Sequence, residues 1–123
     1  MPTIMLIEDD LTMLSLLSTL LQMEGFQVSS AKDEELENVF LWIKQEKPPL
    51  VLVDVNLHLY NGCDLLDKIR ADAGLSETRV IMSSGMDYKD LCLQHGADDF
   101  ILKPYMPDDL INKIRLALSM ARN

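Results

Sequence analysis

Four apolar runs of strand length punctuate this chain: Ile4-Met5-Leu6-Ile7, Leu50-Val51-Leu52-Val53, Val80-Ile81-Met82 and Phe100-Ile101-Leu102. Each lacks polar alternation, as a strand buried on both faces does, and a segment of helical period follows each one. After the first run, Met13, Leu14, Leu17, Leu20 and Leu21 mark a helix over Leu11 to Glu24, with Gly25 as its stop. Phe26-Gln27-Val28 reads as a short second strand. Asp33-Glu34-Glu35 opens the next helix with acids at its positive end, Leu36, Val39, Phe40 and Ile43 give its apolar stripe, and Pro48-Pro49 closes it. Trp42 falls off that stripe and is expected to be partly exposed. A loop through Tyr60-Asn61-Gly62 leads to a helix around Leu65, Leu66 and Ile69 that stops near Gly74. A weakly periodic helix spans Asp87 to Gln94 and ends at Gly96. The last begins at Pro107, a first-turn residue, and buries Leu110, Ile111, Ile114, Ala117 and Leu118.

This fivefold alternation predicts an α/β fold: a (βα)5, doubly wound, five-stranded parallel sheet of order 2-1-3-4-5, with right-handed crossovers and helices on both faces. The whole chain, residues 1–123, is expected to be one domain. In such sheets chemistry gathers outside the carboxyl ends of the strands. That rim would carry Glu8-Asp9-Asp10, Asp54, Ser83-Ser84 and Lys103, and the strand order brings Glu8 and Asp9 beside Asp54.

Composition narrows the partners. With 48% hydrophobic and 25% charged residues the chain is globular rather than disordered. Twenty acids against 11 bases give a formal charge of −9, which disfavours binding of nucleic acid or anionic membrane by this domain. Cys63 and Cys92 lack metal or redox spacing and are expected to stay reduced and packed. The amino terminus does not resemble a signal peptide and no run approaches the ~20 apolar residues of a membrane span, which predicts a cytoplasmic location.

Clustered carboxylates repel one another unless a cation sits among them. Oxygen ligands on a shallow rim suit Mg²⁺, which takes one or two carboxylates and keeps several waters. Asp10, directly before a helix, reads as its cap. Asp54 ends the most apolar strand, where an acid without a purpose is costly. Asp54 can attack phosphorus as an oxygen nucleophile, Lys103 can neutralise charge on the equatorial oxygens, and Ser84 can donate a hydrogen bond to one of them.

Four motifs then carry a resemblance: Leu6-Ile7-Glu8-Asp9-Asp10, Leu50-Val51-Leu52-Val53-Asp54-Val55-Asn56-Leu57, Met82-Ser83-Ser84-Gly85 and Gly96-Ala97-Asp98-Asp99-Phe100-Ile101-Leu102-Lys103-Pro104-Tyr105. In this order and spacing they resemble the receiver domain of two-component response regulators, over essentially the whole chain. The resemblance implies a flavodoxin-like fold and a phosphorylation-dependent signalling switch rather than a metabolic enzyme, catalysing its own phosphoryl transfer and slow aspartyl-phosphate hydrolysis. Asp54 would accept the phosphoryl group from a sensor histidine kinase or a histidine phosphotransfer protein. Mg²⁺, or Mn²⁺, would be held by Asp9, Asp54 and the main-chain carbonyl of Asn56, with Glu8 acting through water. Ser84 takes the hydroxyl switch position and Phe100 the aromatic one. Lys103 takes the place of the family's lysine, commonly followed by a cis proline bond.

The chain departs from the family pattern at His58, where proline is usual, at Phe100, which lacks tyrosine's hydroxyl, and at Gly85 and Met86. His58 is expected to alter loop stiffness and to hydrogen-bond locally, and His95 to be a satisfied surface residue at a helix end. Phe100 should favour an inward ring and raise basal output. Phosphorylation would be read on the surface of the fourth helix, fifth strand and fifth helix, by a partner protein, an output domain or a phosphorylation-linked homodimer. No DNA-binding segment follows Leu118, so the expectation is a stand-alone protein or the receiver part of a longer regulator. An aspartate-nucleophile phosphatase would need an acid at the Asn56 position to protonate its leaving group. A flavin-binding relative would need a phosphate cradle where Glu8-Asp9-Asp10 repels one. A receiver serving only as an interaction module would lack an acid, the lysine or the acceptor.

Overall fold

A computed structural model describes residues 2–30, 35–120 and 122. Five strands, β1 (Thr3–Ile7), β2 (Gln27–Ser30), β3 (Leu50–Asp54), β4 (Arg79–Ser84) and β5 (Asp99–Leu102), form one parallel sheet in the order β2-β1-β3-β4-β5. The helices are α1 (Leu11–Met23), α2 (Leu36–Glu46), α3 (Gly62–Ala71), α4 (Lys89–Gln94) and α5 (Pro107–Ser119), with one 3₁₀ turn at Ala73–Leu75. This is the doubly wound, flavodoxin-like arrangement read from the sequence.

Alternation along each strand sorts the core into two layers. Met5, Ile7, Val51, Val53, Val80 and Met82 face α2, α3 and α4, through Val39, Ile43, Leu66, Ile69 and Cys92. Ile4, Leu6, Leu50, Leu52 and Ile81 face α1 and α5, through Leu17, Leu21, Leu110 and Ile114. All five residues of β3 are buried. Each aliphatic side chain so buried stabilises by about 2 kcal/mol, which makes β3 the best-anchored strand and its end a rigid platform. Trp42 and Phe40 are partly buried against the first layer. Both cysteines are free and buried there, and burial pushes the Cys92 thiol up to about 12.

Several boundaries differ from expectation. The second strand starts at Gln27 and reaches Ser30, because its register follows β1 (Thr3↔Gln27 to Leu6↔Ser30) rather than its own apolarity. Phe26 packs in the α1–α5 layer before it. The second helix begins at Leu36 behind Glu35, while Asp33 and Glu34 lie outside the described residues. It ends at Glu46, with Lys47 left-handed (φ 46°) ahead of Pro48, since a residue before proline avoids the helical region. The fourth helix is shorter than Asp87 to Gln94, because the Asp87 carboxylate accepts the Lys89 N–H (3.2 Å) in a local turn that competes with an earlier start.

Candidate functional site

The register of β1 and β3, Ile7↔Val53, places the next residues, Glu8 just past β1 and Asp54 at the end of β3, level with each other. Asp54 is the last residue of β3 and is 8% exposed. β4 runs alongside with Ser83 opposite Asp54, so Ser84 stands one step further out. Lys103 leaves β5 with its main-chain N–H donating to the Ser84 carbonyl (2.8 Å), and the Lys103–Pro104 bond is cis. Its ammonium then donates to Glu8 Oε2 at 3.0 Å and Asp54 Oδ2 at 3.2 Å. Glu8, Asp54, Ser84 and Lys103 thus converge from four strands.

Charge on this rim is unbalanced: Glu8 and Asp54 share one ammonium, and Asp9 beside them accepts from the His58 main chain. Burial pushes the Glu8 carboxyl above its ordinary value and the Asp54 charge adds to this, against the pull of Lys103. For Lys103, burial lowers proton affinity, but the Glu8 hydrogen bond and both carboxylate charges outweigh it and leave the ammonium raised. Tyr105, with its hydroxyl buried and without a hydrogen-bond partner, is pushed up to about 12, chiefly by burial.

The β3–α3 loop ties the site together. The Asn56 N–H donates to Asp54 Oδ1 (3.3 Å) and its side-chain amide donates to Ser84 Oγ (3.1 Å). The Met86 N–H donates to the same Oγ (3.1 Å), and Ser84 is fully buried. A serine oxygen accepts through two lone pairs and donates one proton. With both lone pairs engaged, what Ser84 retains to offer is a donor. Further along the loop, the His58 N–H donates to Asp9 Oδ2 at 2.5 Å, and its ring Nδ1 lies 3.6 Å from the same oxygen.

Asp10 stands apart from this chemistry: its Oδ1 accepts from the Thr12 and Met13 N–H groups (3.0 and 3.1 Å), so it caps α1. His95 is a satisfied residue at the end of α4, paired through Nδ1 with Asp67 Oδ1 at 2.6 Å. Phe100 is inward, 5% exposed and packed in the α2–α4 layer, beside Met82 in register.

Two contributors were not singled out from the sequence. Gly62 opens α3 so close under the acceptor that a Cβ there would lie 2.2 Å from the Asp54 carbonyl oxygen. Its only sequence signal is a glycine in the first helical turn after an asparagine cap, Asn61, whose Oδ1 accepts from the Cys63 N–H (2.8 Å). The Asn56 side chain is the other, as a donor to Ser84 rather than a carbonyl alone.

Comparison with known proteins agrees with this geometry. The family model described as the response regulator receiver domain matches residues 4–115. The "DNA-binding response regulator MtrA" of Mycobacterium tuberculosis is 32% identical over 117 residues, covering 94% of this chain and 50% of the relative. The "Transcriptional regulatory protein CpxR" of Klebsiella pneumoniae is 38% identical over 122 residues, covering 96% of this chain and 50% of the relative. This chain therefore spans about half the length of the curated relatives it matches. Among solved structures, the BeF3-activated N-terminal receiver domain of Klebsiella pneumoniae RstA superposes with a TM-score of 0.85 at 27% identity, covering 96% of this chain and 99% of that one. A CheY-like receiver domain protein from Methanospirillum hungatei JF-1 gives 0.83 at 28%, covering 97% and 94%. The chain belongs to the response regulator receiver family and is a phosphoacceptor switch of two-component signalling.

Proposed function

We propose that Asp54 is the phosphoacceptor and that a sensor histidine kinase or histidine phosphotransfer protein is the donor. An Asp54 carboxylate oxygen attacks phosphorus, the phosphorus–nitrogen bond to the donor's imidazole breaks, and that imidazole keeps the electron pair and takes up a proton. Lys103, already 3.2 Å from Asp54, stays on the developing negative charge. Ser84 donates its remaining proton to a phosphoryl oxygen. The single observation that carries the reading is this pairing: a nearly buried acceptor with an ammonium on one oxygen and, through Asn56, a donor-only hydroxyl beside it.

The residues present fit a divalent cation. Three carboxylates against one ammonium leave two negative charges, and burial raises the proton affinity of Glu8. Among the described residues no three His, Cys, Asp or Glu side chains form a ready-made metal cluster. Mg²⁺ or Mn²⁺ would be held by Asp9, Asp54 and the Asn56 carbonyl, with Glu8 through water, since such ions take one or two carboxylates and keep several waters. Such a cation supplies charge neutralisation on the transferring phosphoryl group.

Slow hydrolysis of the aspartyl phosphate returns the switch. Ser84 ends β4 and Phe100 lies in the neighbouring β5 beside Met82, two residues back along β4, so a Ser84 hydroxyl drawn to the phosphoryl group changes the packing under α4, β5 and α5, the surface read by a partner, an attached output domain or a second copy. No described helix is long and apolar enough to cross a membrane, which supports a cytoplasmic setting. The test is incubation with an acyl phosphate and Mg²⁺. Wild type should gain one acid-stable, base-labile phosphoryl group and Asp54→Asn none. Ser84→Ala should label but lose the amide-exchange change over residues 87–94 and 100–103. Labelling of Asp54→Asn as strong as wild type would overturn the assignment.

A further inference from the structure

The feature this reading leaves unused is the main chain of His58. Its N–H meets Asp9 Oδ2 at 2.5 Å, and its imidazole Nδ1 faces the same oxygen at 3.6 Å. The ring is largely exposed, whereas Asp9 is 20% exposed. The contact spans 49 residues of sequence, so it fastens the β3–α3 loop onto the end of β1. The rest of that loop is fastened too. Asn56 bonds Asp54 and Ser84, Asn56 and Asn61 form an isolated antiparallel bridge, and the Gly62 N–H donates to the Val55 carbonyl at 2.8 Å.

We propose that His58 is a positioning residue for the cation, acting through its main-chain N–H as a strap that competes with the metal for Asp9. This rests on the proposal that Asp9 is a metal ligand. The sign follows from electrostatics. The N–H presents the positive end of its dipole to one of the two carboxylates the cation needs, and it withdraws part of that charge. The same loop is asked to turn a carbonyl, that of Asn56, toward the cation. A proline at residue 58 has no N–H and cannot make the strap. Cation binding should therefore loosen the loop at residue 58, and the strap should raise the Mg²⁺ concentration at which the site fills.

The test separates main chain from side chain at one fixed pH. His58→Ala keeps the N–H and removes the imidazole; His58→Pro removes both, at a position where the family usually carries proline. Calorimetric titration should show Mg²⁺ binding His58→Pro about tenfold more tightly than His58→Ala, with His58→Ala within about twofold of wild type. In wild type, the residue 58 amide proton should resonate far downfield without Mg²⁺ and move upfield as Mg²⁺ is added, in parallel with the amides of Asp9 and Asp54. Equal affinities for the two variants, or a residue 58 amide that stays in place while those of Asp9 and Asp54 shift, would overturn the strap alone. Absence of any Mg²⁺-dependent shift at Asp9 and Asp54 would remove the metal reading and the strap with it.

Discussion

At the amino ends of β4 and β5, Asp98 accepts from the Val80 N–H (2.8 Å), from Arg70 Nη2 (2.8 Å) and from Arg122 Nη1. Arg70 spends its remaining donors on the carbonyls of Gly96 (2.7 Å) and Thr78 (2.8 Å). Lys113 sits 3.2 Å from Asp99, and Arg79 donates to the Ala117, Glu77 and Met120 carbonyls. At the opposite edge, Glu8 and Asp54 share one lysine, while Asp9 accepts from the His58 main chain. A hollow of about 250 Å³ lies at the first edge, walled by those paired ions, yet the proposed phosphoacceptor lies at the second. Both edges are charged, but one satisfies its charges internally and the other leaves an excess of negative charge that a cation would balance. A residue's role is read from the balance around it rather than from its type.

The steepest loss should come from sterics at the rim. Gly62→Ala forces a methyl into the Asp54 carbonyl (2.2 Å), and the backbone under the acceptor must move. The expected cost is about 3 kcal/mol, together with loss of labelling at Asp54. A denaturation midpoint equal to wild type would show the loop to be more compliant than the geometry allows.

Next is the balanced edge. Arg70→Ala leaves Asp98 with Arg122 and the Val80 N–H and frees two carbonyls, and should cost about 2 kcal/mol, less than a fully buried pair because both partners keep some exposure. Phosphorylation of Asp54 should be unchanged. A large loss of labelling with no loss of stability would reverse the contrast between the edges.

Relieving the excess should do the opposite. Glu8→Gln removes a charge whose folded-state proton affinity is raised by burial and by Asp54, so it should raise stability at pH 7 without Mg²⁺, while slowing phosphorylation. The sign of the pH dependence follows. The Glu8 contribution is fully present below its unfolded value of 4.5 and is lost as pH rises through the higher folded value. The advantage of the variant should therefore grow from pH 4 towards 7, and a constant advantage would mean that Glu8 is not the strained group. Smallest is the cap: Asp10→Ala should cost about 1 kcal/mol through α1 alone and leave Mg²⁺ affinity in place, as calorimetry can check.

Legibility in the sequence followed the range of the interactions. Asp10 announced its role because a cap and its N–H partners are two and three residues apart. The unbroken apolarity of Leu50 to Val53 announced a central strand, and with it Asp54 as an acid at a platform's edge. The strand order then placed Glu8 beside Asp54. Gly62 was mute because the atom it avoids, the Asp54 carbonyl, arrives only through the tertiary turn of the loop. The Asn56–Ser84 bond spans 28 residues, as does Arg70–Asp98, and neither has a local pattern. The His58 strap is fainter still, since a main-chain donor is visible in sequence only as the missing proline. Edge-strand limits failed for a related reason: Ser29 and Ser30 pair because β1 offers partners, not because they are apolar.

The contrast between the edges is tested most directly by the Mg²⁺-dependence of thermal unfolding in wild type, Asp9→Asn and Arg70→Ala. A ligand that binds only the folded state stabilises it by mass action, by about 2.7 kcal/mol at one hundred times its Kd. Wild type should gain a clear rise in Tm with Mg²⁺, Arg70→Ala should start lower and gain the same increment, and Asp9→Asn should lose most of it. An undiminished increment in Asp9→Asn, or one abolished by Arg70→Ala, would contradict the account.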